Sequence, residues 1–346
     1  MGAQSTPLVA ACLGQPTPVT PVWFMRQAGR HLPEYRALRG SGSILDAIAD
    51  PDLSTEITLQ PVRRYGVDGA VLYSDIVVPV AAIGFGVDVE PGRGPVVADP
   101  FRGPEDLKRL RPLDVDADIP HVVRTVTQVA AELKGTSTAL IGFAGAPFTV
   151  ASYLVEGGPS KNFAKVKSLM HADPKLFAQL CDHLAGLAID FLAAQVSAGA
   201  QVVQLFDSWA GQLSVADYQR FALPSTKRVL AAVAAMGVPS ILFGVGCTEH
   251  LPAMATSGAS VVGVDWRIPL SEARRRLGPG IGVQGNLDPT LVLAGVDVAM
   301  EATDAILADA AGTAGHVFNL GHGVLPETNP DVLAEVVKRV HAGGAS

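Results

Sequence analysis

Residues 239–286 read PSILFGVGCTEHLPAMATSGASVVGVDWRIPLSEARRRLGPGIGVQGN. Three short apolar runs, PSILFGVG, SVVGVDW and GIGVQGN, are separated by segments long enough for a helix each. Within the runs the apolar residues are consecutive rather than alternating, which is the pattern of strands buried on both faces. Parallel strands of that kind need crossovers, and LSEARRRL (270–277) has helical spacing in one of the two gaps. The stretch therefore reads as consecutive βα units of an all-parallel sheet.

The same grammar extends outward. PVWFM (21–25), GAVLYSD (69–75), TALIGFAG (138–145), AQVVQLFDS (200–208) and HVFNLGHG (316–323) are further strand candidates, and helical periodicity marks Lys175–Ala198, Val215–Met236, Val296–Ala311 and Asn329–His341. Eight candidates in 346 residues predict an α/β fold of one domain, a (β/α)8 TIM barrel over residues 21–346, after a flexible lead-in over residues 1–20. The interval from Ile76 to Lys134 exceeds a standard crossover and reads as a Pro/Gly-rich excursion. Barrels of this class carry their active sites at the C-terminal ends of the strands. Here those ends hold Arg26, Asp75, the Gly142–Pro147 turn, Asp207, Ser208, Asp265, Gln284–Asn286 and His322.

Composition narrows the function. With 48% hydrophobic and 17% charged residues the chain has an ordinary globular profile, and no apolar stretch reaches the ~18–20 uninterrupted residues of a membrane span. Cys12, Cys181 and Cys247 are odd in number and far apart, so neither a disulfide framework nor a C-x-x-C zinc site is expected, which points to a reducing cytoplasm. A net charge of −7 argues against a broad nucleic-acid footprint, so an anionic ligand must be met by a local cluster of cations.

That cluster is found in PVWFMRQAGRHLPEYRALR (21–39). Arg26, Gln27 and Arg30 flank Ala28 and Gly29, small residues that let the backbone approach a ligand. Two rigid guanidinium forks within five residues suit a polycarboxylate. Arg36 and Arg39 read instead as a solvated helix face with Glu34 as partner.

The chain resembles the uroporphyrinogen decarboxylase family. PVWFMRQAGRHLPEYR is similar to that family's N-terminal signature and GFAGAPFTVASYLVEGG to its second; YSDI, LFDSWAG and NLGHGVLPETNP follow in order, from about Pro21 to the C-terminus. The resemblance implies a homodimeric (β/α)8 barrel that converts the four acetates of uroporphyrinogen III to methyls, giving coproporphyrinogen III without metal or organic cofactor. It implies substrate binding by Arg26, Gln27, Ala28, Gly29, Arg30, Asp75, Tyr153, Ser208 and His322. Asp75, Arg26 and Arg30 would be catalytic, with Asp75 meeting the pyrrole nitrogens. A guanidinium is a reluctant acid, so Arg26, as proton donor or carboxylate holder, has His322 as its rival for the proton. His31 departs from the family, where Tyr is more usual.

Competing signals are weaker. Gly280-x-Gly282-x-x-Gly285 matches a dinucleotide fingerprint formally, but lies before and within a strand rather than between strand and helix. Cys247-Thr248-Glu249-His250 raises the alternative of a zinc-dependent methyltransferase on the same barrel, which would need further ligands nearby. A non-catalytic tetrapyrrole carrier is the third reading, though it would not require Asp75 together with both arginines.

Overall fold

The computed structural model describes residues 6–40, 42–90, 92–312 and 315–343. Seven parallel strands curl into one sheet: β1 (Gly69–Val71), β4 (Ala139–Gly145), β5 (Val202–Phe206), β6 (Ser240–Phe243), β7 (Val261–Gly263), β8 (Gly282–Gln284) and β9 (His316–Val317). They pair in chain order, β1 to β4 and onward to β9, with helical segments in the crossovers between them. Every residue of β4 is buried, as its unbroken apolar sequence requires.

PVWFM, expected as a full strand, is reduced to a single stave. Val22 forms one parallel bridge to Phe318, supported by Phe318 N–H to Pro21 O (2.8 Å) and Trp23 N–H to Phe318 O (3.3 Å). On its other edge Asp68 N–H donates to Val22 O (2.8 Å), while the Asp68 carboxylate accepts from Val22 N–H (2.8 Å). The barrel therefore closes between β9 and β1, with side chains replacing part of the ladder. Asp68 also accepts from the His341 imidazole (2.8 Å), tying the closing seam to the helix Pro330–Ala342.

Inside the barrel a buried polar chain runs across the strands. Trp23 Nε1–H donates to Gln284 Oε1 (3.0 Å), and Gln284 Nε2–H donates to Gln204 Oε1 (2.9 Å). Each carries essentially no exposed surface, so every bond in the chain offsets a desolvation cost of about 1–3 kcal/mol for the groups it pairs, while Gln204 Nε2 at its end is left without a partner. Gln284, placed by its sequence at the pocket rim, is thus part of the barrel wall.

Prolines explain several helix starts. Pro51, Pro120, Pro147, Pro174, Pro289 and Pro330 each open a helix, where the missing N–H loses nothing, and Asp50, Asp173, Asp288 and Asn329 cap four of them. Within the run predicted as one helix over Val215–Met236, Pro224 has the opposite effect. The backbone widens to a π segment at Tyr218–Ala222 before the helix Leu223–Ala235.

Residues 7–12, within the expected lead-in, form a short helix whose Leu8, Ala11 and Cys12 are buried; residues 1–5 lie outside the described residues. The Ile76–Lys134 excursion contains an antiparallel hairpin, β2 (Val87–Glu90) with β3 (Gly94–Val97). The 25-residue helix Pro174–Ala198 is long and apolar enough to cross a membrane by composition alone. It packs against β4 and the helices Pro120–Glu132, Pro147–Glu156 and Leu223–Ala235, which accounts for its apolar character.

Candidate active site

Arg26 occupies the left-handed region, φ 60°, which turns the chain sharply as it leaves the closing stave. The loop it begins is held down from both sides. Met25 N–H donates to Asn319 Oδ1 (3.1 Å), Val324 N–H donates to Met25 O (2.8 Å), and the Arg26 stem lies on Gly323. A Cβ on Gly323 would come within 2.5 Å of Arg26 Cδ, so the glycine in NLGHG keeps the space that the arginine fills. Sequence segments separated by 294 positions at Met25 and Asn319 are in this way made neighbours, and Arg26 stands beside His322.

Asp75 follows β1 by four residues. Its Oδ1 accepts from Val77 N–H (3.0 Å), which braces the turn into the helix Val78–Ala82, and the residue is largely withdrawn from solvent. Burial raises its pKa; the Val77 N–H and the nearby Arg26 charge oppose that shift. Tyr153, on the helix Pro147–Glu156, lies within electrostatic reach of both Asp75 and Arg26, and its phenol pKa is pushed up chiefly by burial. Burial, and then the Arg26 charge, lower the pKa of His322. Arg26, Asp75, Tyr153 and His322 therefore converge at one end of the barrel.

Ser208 sits in the turn after β5, half-buried beside Trp209, whose indole packs edge-on against Tyr153 at 6.0 Å. Arg30 is exposed, and the electrostatic contacts of that cluster do not include it. Gln27 is wholly buried: its Oε1 accepts from Phe24 N–H (3.0 Å) and its Nε2–H donates to Gly69 O (2.8 Å). Its side chain braces the loop against β1. Ala28 packs on the core, and a Cβ on Gly29 would press to 3.0 Å on Arg26 O, so small residues here serve the tightness of the turn.

Arg36 and Arg39 are not a simple solvated face with Glu34. Arg36 Nη1 donates to the carbonyls of Arg30 (2.6 Å) and His31 (3.1 Å), and Arg39 donates to the Tyr73 hydroxyl (3.2 Å), while Glu34 faces Arg64 at 3.6 Å. Arg36 is a staple of the arginine loop that helix periodicity could not disclose. His31 is buried against Tyr65, with Nε2 3.1 Å from the phenol oxygen; burial lowers its pKa to about 4, so it is neutral at physiological pH. Phe24 and Phe148 are sealed in the core, whereas Phe206 is only half-buried and meets Phe143 at 5.5 Å and Phe243 at 6.1 Å.

Below the site lies Asp207, fully buried. Its Oδ1 accepts from the Thr149 hydroxyl (2.8 Å), and Thr149 Oγ1 accepts in turn from Trp209 N–H (3.2 Å). This relay joins the Ser208 turn to the Tyr153 helix. Asp207 Oδ2 has no hydrogen-bond partner, and burial pushes the pKa up to about 7. In the unfolded chain an aspartate titrates near ~3.9, so folding binds this proton more tightly. The resulting stability is present at low pH and is withdrawn as pH rises through about 7. Asp207→Asn, which cannot ionise, is expected to gain up to about 4 kcal/mol over the parent at pH 8 relative to pH 4. Urea unfolding at the two pH values measures this; an equal difference at both would contradict it.

Cys247 is buried with its thiol toward Val245 O, and His250 packs edge-on against Tyr218 at 4.9 Å. Among the described residues no group of three or more His, Cys, Asp or Glu side chains could hold a metal ion, so Cys247-Thr248-Glu249-His250 does not assemble a zinc donor set. Gly282 belongs to β8, where a Cβ would approach Gly315 O to 2.7 Å, and a Cβ on Gly285 would meet Val264 O at 2.6 Å; Gly280 is a turn residue at φ 85°, so the formal dinucleotide match is close backbone packing and a turn.

Fold and site together define a barrel enzyme of the (β/α)8 class, with a carboxyl, a guanidinium, a phenol and an imidazole gathered where such enzymes react. A solved methyltransferase from Methanosarcina mazei shares the fold at TM-score 0.76 over 97% of this chain and 98% of that one, at 20% identity. The family model for uroporphyrinogen decarboxylase (URO-D) matches residues 3–343. Curated proteins named uroporphyrinogen decarboxylase are 55% identical in Salinispora tropica, over 97% of this chain and 90% of that protein, and 55% identical in Streptomyces coelicolor, over 96% and 92%. The chain belongs to the uroporphyrinogen decarboxylase family.

Proposed function

We propose that the protein decarboxylates the four acetate side chains of uroporphyrinogen III, giving coproporphyrinogen III, a step of porphyrin and haem biosynthesis. The reading rests on one observation above the others: the convergence of Asp75 with Arg26, Tyr153 and His322 in a chain of this family.

The chemistry asks for two things. A pyrrole acetate holds its carboxylate because the electrons left on the methylene carbon have nowhere to go. Protonating the adjacent ring carbon makes a cationic ring that accepts them; carbon dioxide leaves, a proton added to the methylene carbon completes the methyl group, and the ring carbon gives up its proton to restore the pyrrole. Asp75, beneath the pyrrole N–H groups, stabilises the cation as it forms, and the hydrogen bonds it accepts favour its ionised state against the effect of burial. Arg26 holds the departing carboxylate, with Arg30 at the rim for a second one. Tyr153 and Ser208 add hydroxyl donors without adding charge. His322, drawn toward its neutral form by burial and by Arg26, serves better as a hydrogen-bonding imidazole than as a stored proton. That favours Arg26 at the reacting carboxylate.

No metal or organic cofactor enters this scheme. The family resemblance further supports a homodimer in the cytoplasm, and three isolated buried thiols are compatible with a reducing compartment. The test is an anaerobic incubation of the purified protein with uroporphyrinogen III, without added metal or cofactor, with products separated by carboxylate number. Stepwise loss of four carboxylates is expected. Tight binding without any loss would overturn the reading.

A further inference from the structure

We infer that Arg267 is an additional substrate-binding residue, a third arginine that takes a carboxylate of the tetrapyrrole's periphery. The inference rests on the decarboxylase reading above and concerns the same mouth of the barrel.

Arg267 follows β7 by four residues, and the turn that carries it is pressed against the His322 loop. A Cβ on Gly321 would lie 2.6 Å from Trp266 N and 3.1 Å from Asp265 C, so the two segments touch backbone to backbone. The charge of Arg267 is accordingly felt at His322, as is that of Arg26. Two guanidiniums thus act on one imidazole from different strands.

The side chain is held but not used up. Its guanidinium lies 4.3 Å over the Trp266 ring, and Nη1 donates to Asp265 Oδ2 (2.6 Å). Asp265 is almost fully buried, whereas the Arg267 side chain is 49% exposed. The buried carboxylate does not depend on the guanidinium, since Arg267 N–H donates to Oδ1 (3.0 Å) and Gly246 N–H to Oδ2 (2.6 Å). Losing the guanidinium therefore does not strand Asp265 without donors, which limits the stability cost. Nε and Nη2 make no protein hydrogen bond among the described residues, which leaves that edge of a half-exposed guanidinium open to a ligand. A ring beneath and a carboxylate at one end restrict the rotamers of a side chain that ordinarily samples many, so less entropy is lost when a second carboxylate arrives.

The substrate gives such a fork something to bind. Uroporphyrinogen carries eight carboxylates, four acetates and four propionates, and only one acetate at a time can occupy the reacting position. Arg26 and Arg30 alone leave most of that charge unmatched.

The experiment measures quenching of uroporphyrin I fluorescence by the parent protein, Arg267→Gln and Arg267→Lys, alongside KM and kcat for uroporphyrinogen III. Arg267→Gln is expected to weaken porphyrin binding about tenfold and raise KM similarly, with kcat within about twofold and Arg267→Lys intermediate. The melting temperature should stay close to the parent's because Asp265 keeps its backbone donors. Unchanged binding in Arg267→Gln overturns the inference, as does a fall in kcat with binding intact, which would mark a structural role. Porphyrin binding needs no turnover: a parent protein that binds but does not decarboxylate would count against the proposed reaction while leaving the Arg267 result readable. A parent that does not bind uroporphyrin removes both.

Discussion

Asp75→Asn is expected to lower kcat for uroporphyrinogen III by about 10²–10³-fold, the loss typical of removing one preorganised charge-stabilising group from a transition state. The amide keeps an oxygen where Oδ1 accepts from Val77 N–H, so the turn into the helix Val78–Ala82 survives and folding is not the variable. What disappears is the negative charge available to a developing ring cation. KM should change far less than kcat, because neutral pyrrole N–H groups in the ground state can still donate to the amide oxygen. Rate measurements with the tetrapyrrole held above KM decide the point. A variant with kcat within about threefold of the parent would remove Asp75 from the mechanism.

The largest stability loss is expected at a glycine with no chemical role of its own. Gly211, in the LFDSWAG run, packs directly against the loop after β6: a Cβ there would stand 2.1 Å from Val245 O, 2.8 Å from Gly246 O and 2.9 Å from Gly246 C. All three obstacles are backbone, so no side chain can swing aside. Gly211→Ala should destabilise by about 3 kcal/mol or more, read as a fall in the urea midpoint with the slope unchanged. The opposite sign is expected for Gly186→Ala. That glycine lies inside the helix Pro174–Ala198 with nothing within 4 Å of an added Cβ, and alanine there should stabilise by roughly 0.5–1 kcal/mol. If Gly211→Ala unfolds no more readily than Gly186→Ala, the contact between the Ser208 turn and the Val245 loop is not as close as described.

The two glycines show how legibility divides along this chain. Gly186 is understood from its own helix, because the cost of a glycine there is a local matter of backbone freedom. Gly211 is not, because its requirement is set by carbonyls more than thirty residues further on. The same division runs through the site. Arg26, Asp75 and His322 are visible as polar residues ending apolar runs, and the structure gathers them with Tyr153. The positional logic of a barrel suffices for that, since every strand delivers its C-terminal end to one mouth. Gln27 and Gln284 look equally suitable on that logic, yet their amides brace the barrel itself.

Local sequence thus determined the parallel sheet, the order of its strands, the helix starts at proline and aspartate, and the presence of a compact cationic loop. These depend on periodicity and capping within a few residues. Tertiary structure alone decided how the barrel closes, through Asp68 and a single bridge from Val22 to Phe318, and which polar groups remain free to meet a ligand. It also decided that Asp207 is sealed with one oxygen unpartnered, and that Arg267 presents an open fork beside His322. Trp23 finds Gln284 across 261 positions and Met25 finds Asn319 across 294. Partners so remote leave no periodic trace, because a hydrogen bond made by one side chain constrains the geometry of the fold and not the residues on either side of it.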